Sequence, residues 1–290
     1  MNRRGLFLFG IMCVIWGIPY LLIRVAVGGI SPVMLVFART TIGAVILMPI
    51  VLARRGLRGI GIKWIPLLAY SLVEVGGPWF LLSSAEQHIS SSLAGLLVSS
   101  VPLVGILIAP IFGNREKMGT IGIAGLVVGL AGVAAIVGLD FGATDPVSLL
   151  EMALVAIGYA LGPAILKRYL TALPSVTVVG ISLAVCALAY APFAAIVWPQ
   201  AIPDASVIIS VAVLGVVCTA LAFLLFFALI EVMGPVRATV ITYVNPAVAA
   251  LLGVTILHET FSIGMGLGFA LVLAGSILAT RRRLAPAPES

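Results

Sequence analysis

Of the chain's 290 residues, 62% are hydrophobic and only 9% charged, and the mean hydropathy is +1.28; this is far more apolar surface than one water-soluble core could hide. The composition excludes an ordinary soluble domain and points to a chain that crosses a membrane many times. The net charge of +6 comes from basic residues in short clusters between apolar runs, with no basic face for a phosphate backbone to follow, so nucleic acid is not an expected partner.

Ten runs of roughly 19 to 25 mostly apolar residues are long enough to cross a hydrocarbon core about 30 Å thick. They cover residues 5–27, 32–53, 63–82, 88–112, 117–139, 147–169, 175–198, 205–229, 235–257 and 262–280. Gly28, Gly29, Ser31 and Pro32 punctuate the first boundary, and Asp140 to Pro146, Pro199 to Asp204 and Met233 to Pro235 mark later ones. The first run carries Trp16, Pro19 and Arg24 and has a counterpart later in the chain, so it reads as a retained helix and not a cleaved signal. Connections are short, which leaves no room for a soluble domain. The tail Arg281 to Ser290 is expected to be disordered. Cys13, Cys186 and Cys218 stand singly inside apolar runs, and His88 and His258 are isolated, so neither a disulfide framework nor a metal site is expected, and no cofactor.

Basic residues in short loops favour the cytoplasmic side. With the N-terminus inside, that side holds Arg3, Arg4, Arg54, Arg55, Arg58, Lys63, Arg115, Lys117, Lys167, Arg168, Arg237 and Arg281 to Arg283, which is 14 of the 16 Lys and Arg residues. The opposite side keeps Glu86, Asp140, Asp145, Glu151, Asp204 and Glu259. Both termini are therefore predicted to be cytoplasmic.

The chain also repeats itself. An offset of 144 positions relates Pro19 to Pro163, Arg24 to Arg168 and Pro102 to Pro246, and an offset of 143 relates Pro49 to Pro192, Glu116 to Glu259, Gly125 to Gly268 and Gly132 to Gly275. The predicted units are residues 1–143 and 144–280, followed by the tail 281–290. Because each unit has five crossings, an odd number, the second copy enters the membrane from the opposite face. The predicted fold is an all-α integral membrane protein of ten helices in two inverted five-helix repeats, an architecture that secondary transporters use to bind solute between the halves.

Ten helices, two five-helix repeats, the early Ile15-Trp16-Gly17, a proline-containing fourth helix in each half followed by a turn glutamate (Glu116, Glu259) and a Gly-rich fifth helix resemble the drug/metabolite transporter superfamily. Within it the chain is similar to the EamA-type exporters of the bacterial inner membrane, including the branch that exports aromatic amino acids. The resemblance covers essentially the whole chain and implies export of metabolites or amino acids by alternating access.

Candidate site residues follow from polarity inside apolar runs. On the fourth helix Ser92, Gly95, Ser99 and Pro102 share one face, and the ninth repeats this with Thr239, Tyr243 and Pro246 beside Thr242 and Asn245. Such a face avoids lipid. Tyr243 and Asn245 are too large for tight helix packing and are read as cavity residues, whereas Ser99 and Ser100 fit either a cavity or close packing. Pro19, Pro102, Pro163 and Pro246 are read as hinges.

Arg39 and Glu74 are the only charges deep inside the runs, about 10 and 12 Å from the outer ends at Pro32 and Leu82. They fit either a mutually neutralising pair or a solute- and proton-binding role for Glu74 with Arg39 tuning it. Trp16, Tyr20 and Tyr159 lie at interior depth and are read as cavity lining; Trp64, Trp79 and Trp198 are read as interface anchors. Gly125 with Gly129, and Gly264 with Gly268, should let the fifth helices pack closely within or between protomers, and a monomer and a homodimer fit equally. An intramembrane enzyme would need clustered nucleophile, base and orienting groups, which the sequence lacks. An exporter of lipophilic drugs or a lipid flippase is the alternative transport reading. No GxxxxGK[ST] occurs, so movement is expected to be proton-coupled or passive.

Overall fold

The computed structural model describes residues 3–58, 60–112, 119–138, 145–234, 238 and 240–280. Nine helices in it are long and apolar enough to cross a membrane: α1 Arg3–Ala26, α2 Pro32–Ala53, α3 Trp64–Ala85, α4 Ser91–Phe112, α5 Thr120–Gly138, α6 Pro146–Leu170, α7 Ser175–Ile196, α8 Ala205–Met233 and α10 Ile263–Thr280. The shorter α9, Ile241–Ile256, completes the predicted ten. The expected unit boundary at 143/144, the tail, Glu116 and Thr239 lie outside the described residues.

Side chains on the rim form a continuous apolar coat, as a lipid-facing surface requires: Val45, Leu188, Ile196, Leu251 and Leu267 are all exposed. Inside, packing follows exchanged pairs. Helix α3 packs on α6 as α8 packs on α1, and α4 meets α6 as α9 meets α1. Helices α2 and α7, α4 and α9, and α5 and α10 each pack on their own counterpart. That pattern is what a pseudo-two-fold axis between two five-helix units produces.

The α5–α10 contact rests on glycine. A Cβ on Gly275 would overlap the backbone of Gly129, and one on Gly132 would overlap Val272 N and Gly268 O. The backbones therefore touch directly, and the small-residue stripe read from the sequence joins two helices of one protomer.

Prolines shape the helices at mid-depth. In α1 the helix is interrupted at Trp16 and Gly17, and Pro19 opens its second half. In α4 the interruption falls at Ser99 and Ser100, and Pro102 sits in the first turn of the second half. Proline cannot donate to the carbonyl four residues back, which frees the chain to bend. Pro163 and Pro246, by contrast, lie inside unbroken helical segments. Two π-turns sit at matching places in the halves, Ser71–Gly76 in α3 and Val216–Leu221 in α8. The predicted third helix ends too early: α3 runs to Ala85, so Glu74 stands eleven residues from that end and not eight, deeper than the sequence reading placed it.

Candidate functional site

The interrupted helices and π-turns converge on a cavity of about 230 Å³ between the halves. Its walls are Trp16, Pro19 and Tyr20 from α1, Arg39 from α2, Glu74, Trp79 and Leu82 from α3, and Val98 and Val101 from α4. From α6 comes Tyr159, from α8 Cys218 and Phe223, and from α9 Thr242, Asn245 and Pro246. A larger recess of about 480 Å³ lies between α2 and α8 beneath residues 198–203. Its described lining holds no ionisable group, and only Gln200 and the Trp198 indole N–H are polar, so it has no charge to orient a polar solute.

Arg39 is buried and held from two sides. Its guanidinium lies 3.6 Å from the centroid of the Trp79 ring, and its Nε donates to Thr219 Oγ1 at 2.9 Å. Stacking on the face of an aromatic ring stabilises a desolvated cation without neutralising it. Glu74 occupies the π-turn of α3, directly against Gly162 of α6, where any β-carbon would collide with the carboxylate. Its Oε2 is buried and has no hydrogen-bond partner among the described residues. Among the described residues no ion pair joins the two charges: both line one cavity, with Arg39 held by Trp79 and Thr219. The π-turn and the longer α3 change the depth and direction of Glu74 relative to the simple helical count.

Trp79 is the second correction. With 6% of its surface exposed it is a buried cavity residue and not an interface anchor, whereas Trp64 and Trp198, at 54% and 61%, are exposed as an anchor should be. Trp16 joins an aromatic cluster, edge-on to Phe223 at 5.9 Å and tilted against Phe226 at 4.7 Å.

Of the residues singled out in the sequence, Trp16, Pro19, Tyr20, Arg39, Glu74, Tyr159, Asn245 and Pro246 come together around the cavity. Ser99, Ser100, Tyr243, Pro102 and Pro163 are not on its wall. The hydroxyls of Ser99 and Ser100 donate to Leu96 O and Leu97 O one turn back, so they serve the helix interruption itself. The residues that do reach the cavity flank these: Val98 and Val101 on α4, and Thr242 and Asn245 on α9. These form two pairs at the offset of 144, as do Trp79 and Phe223. Glu74 corresponds to Thr219, one position further, and Thr219 is the residue that Arg39 grips. The repeat offset, applied to the aromatic and polar residues as well as to prolines and glycines, was the signal that could have found Trp79, Phe223 and Thr242.

Asn245 is 8% exposed. With its amide oriented to suit its neighbours, the nitrogen donates to Ile241 O at 2.9 Å and to Cys13 O of α1 at 3.1 Å, tying α9 to the interrupted stretch of α1.

The end of the cavity beyond Leu82 is closed. Tyr20, Gly95 and Ala249 meet there so tightly that a β-carbon on Gly95 would overlap Ala249. Further out, the Glu259 carboxylate spans the two halves: Oε1 accepts from Ser91 N at 2.8 Å and Ser91 Oγ at 2.9 Å, and Oε2 from Ser92 N at 2.9 Å and Ser92 Oγ at 2.5 Å. Negative charge at the first turn of α4 is also favoured by the helix dipole. Beside it, Arg24 Nη1 donates to the main-chain carbonyl of Glu86.

Known proteins give a consistent match. The profile of the EamA-like transporter family matches residues 3–138 and, separately, 147–281. The chain is 27% identical over 293 residues to the uncharacterized inner membrane transporter YedA of Escherichia coli, covering 96% of this chain and 92% of that protein. It is 24% identical over 277 residues to an uncharacterized transporter of Archaeoglobus fulgidus (92% and 95% covered) and 24% identical over 286 residues to the uncharacterized transporter YvbV of Bacillus subtilis (96% and 92%). A crystal structure of a protein 23% identical in sequence superposes with a TM-score of 0.68 over 97% of both chains, which supports the ten-helix fold.

Proposed function

The chain belongs to the EamA-like transporter family, and from that premise, a membrane transporter and not an enzyme, we propose that it exports small amphipathic metabolites, aromatic or hydrophobic amino acids foremost, by alternating access at the central cavity. The cell membrane involved is the bacterial inner membrane, as the name of the Escherichia coli relative suggests, with both termini cytoplasmic and the end carrying Glu86 and Glu259 outside. The units are residues 1–143 and 144–280, inverted relative to each other, with 281–290 as a cytoplasmic tail.

One observation carries the substrate class: among the described residues one cation and one carboxylate face the same small cavity without pairing with each other. A zwitterion complements both, its carboxylate toward Arg39 and its ammonium toward Glu74, while the side chain packs on Trp16, Tyr20, Trp79, Tyr159 and Phe223. The volume of about 230 Å³ falls below the range of about 300–1,000 Å³ usual for drug-sized ligands. Ser99, Ser100 and Tyr243 shape the cavity indirectly through the turns they occupy, and Pro19, Pro102, Pro163 and Pro246 are the hinges.

Counterflow of a radiolabelled amino-acid panel into liposomes holding the purified protein tests the proposal: aromatic amino acids should exchange fastest, and Glu74→Gln should abolish exchange or its pH dependence while the protein still folds. Uniform failure of the panel, with uptake of lipophilic cations instead, would favour the drug-exporter reading, which the aromatic walls around Glu74 also suit.

A further inference from the structure

Glu86 is the first residue beyond α3, one helical turn past the cavity residue Leu82, and its side chain is fully buried. Neither carboxyl oxygen has a hydrogen-bond partner among the described residues. Among the described residues, the charged groups that act on it are engaged elsewhere. Arg24 gives its guanidinium to the Glu86 main-chain carbonyl and not to the carboxyl. Glu259 is occupied by four donors from Ser91 and Ser92. Arg39 is held by Trp79 and Thr219, and Tyr20 and Tyr159 stand within electrostatic reach without bonding it. An ionised carboxylate in such a place would cost several kcal/mol. Even as a neutral acid it makes no bond here, so it contributes nothing that a glutamine or leucine would not. Its chemistry belongs to another state of the protein.

The repeat indicates which state. Glu231 stands 145 positions after Glu86, in the matching stretch of α8, and is exposed. In an inverted-repeat carrier the halves exchange conformations, so each position adopts in one state what its counterpart shows in the other. The one position is thus exposed in one half and buried in the other, the difference that an open and a shut end would make to this carboxyl.

We propose that Glu86 is a proton-binding site coupled to the outer closure: protonated while the outer end is shut over the cavity, and ionised, with its proton released to the external water, when that end opens. This rests on the alternating-access reading above. The electrostatics agree, since burial, and then the neighbouring Glu259 carboxylate, hold the Glu86 carboxyl well above the usual carboxylate range, with Arg24 and Arg39 pulling only part of the way back. The sign follows: the shut state holds one more proton than the open state, so acid outside favours closure, and the shut-to-open ratio falls by about tenfold per pH unit between the open-state and shut-state values. An external proton would then reset an exporter that has released its solute.

The test reads opening without any solute. Cys218 lies on the cavity wall, buried from outside. In right-side-out membrane vesicles with internal pH held constant, so that Glu231 sees no change, a membrane-impermeant maleimide is added outside across a range of external pH. Labelling of Cys218 is measured by mass spectrometry relative to a reference cysteine introduced as Ile202→Cys, a 90% exposed loop position. The full-length wild type should show relative labelling that climbs as external pH rises; Glu86→Gln should stay at the low, shut level throughout, and Glu86→Asp should keep the climb with a moved midpoint. A Glu86→Gln protein that climbs like the wild type, or a wild type that stays flat, overturns the proposal. Should the glutamine variant not fold, the aspartate variant and wild type decide alone: an unmoved midpoint refutes it. Because no solute is present, a protein that opens with pH yet moves no amino acid would sink the amino-acid reading and leave this one standing.

Discussion

The Glu259 bridge lends itself to a quantitative test, because four donors on one carboxylate fasten the α9–α10 turn of one half to the first turn of α4 in the other. Glu259→Gln keeps the shape but replaces one oxygen by an NH₂ that faces the N–H and hydroxyl of a serine. Charge and up to two of the four bonds are lost together. Hydrogen bonds to a charged group are worth about 1.5–3 kcal/mol each, and partial exposure of Glu259 discounts that. The expected destabilisation is about 3 kcal/mol for the glutamine variant and about 1 kcal/mol for Ser92→Ala, which removes the shortest of the four contacts. Thermal denaturation in one detergent should order the proteins wild type, Ser92→Ala, Glu259→Gln. The double variant should fall close to Glu259→Gln alone, since groups in one network couple by about 0.5–3 kcal/mol. Strict additivity of the two losses would show that Ser92 and Glu259 stabilise the protein independently, and the bridge would not exist in solution.

Two further outcomes follow from local geometry. Gly275→Leu drives a side chain into the backbone of Gly129 and should cost about 3 kcal/mol or abolish folding, whereas Gly10→Leu, where a β-carbon meets nothing, should leave thermal stability unchanged. At the start of α6, Asp145 accepts from Ser148 N and Ser148 Oγ, and these bonds hold its carboxyl below the usual carboxylate range. The capping contribution is therefore present above the ordinary carboxylate value and is lost as pH falls through the depressed one. Protection of the Ser148 amide, taken as its exchange rate relative to the intrinsic rate at each pH, should fall on acidification in the wild type and already be low at neutral pH in Asp145→Ala.

What the sequence made legible divides along a physical line. Helix number and the repeat depend on side-chain hydrophobicity summed over twenty residues, and on prolines and glycines whose backbone demands survive divergence, so both could be read from one chain. Facing and depth at the site depend on single-residue geometry, which a π-turn or a helix interruption shifts by a fraction of a turn. Glu74 illustrates this: a regular helix counted inward from Leu82 puts it level with Arg39, but the π-turn over Ser71–Gly76 and the extension to Ala85 turn it onto Gly162 instead. The interruption at Ser99 and Ser100 acts likewise, handing the cavity to Val98 and Val101. The repeat offset then explains why the cavity is polar in an oriented way. Each pair sets a less polar residue against a more polar one, Val98 against Thr242, Val101 against Asn245, Thr219 against Glu74. Thus α9 supplies hydrogen-bonding groups opposite apolar α4, while α3 supplies a carboxylate where α8 offers only a hydroxyl to Arg39. The two halves share one backbone plan but differ in their side chains, so that on the proposed transport reading a solute between them would meet a cation, a carboxylate and an amide at fixed corners and have one favoured orientation.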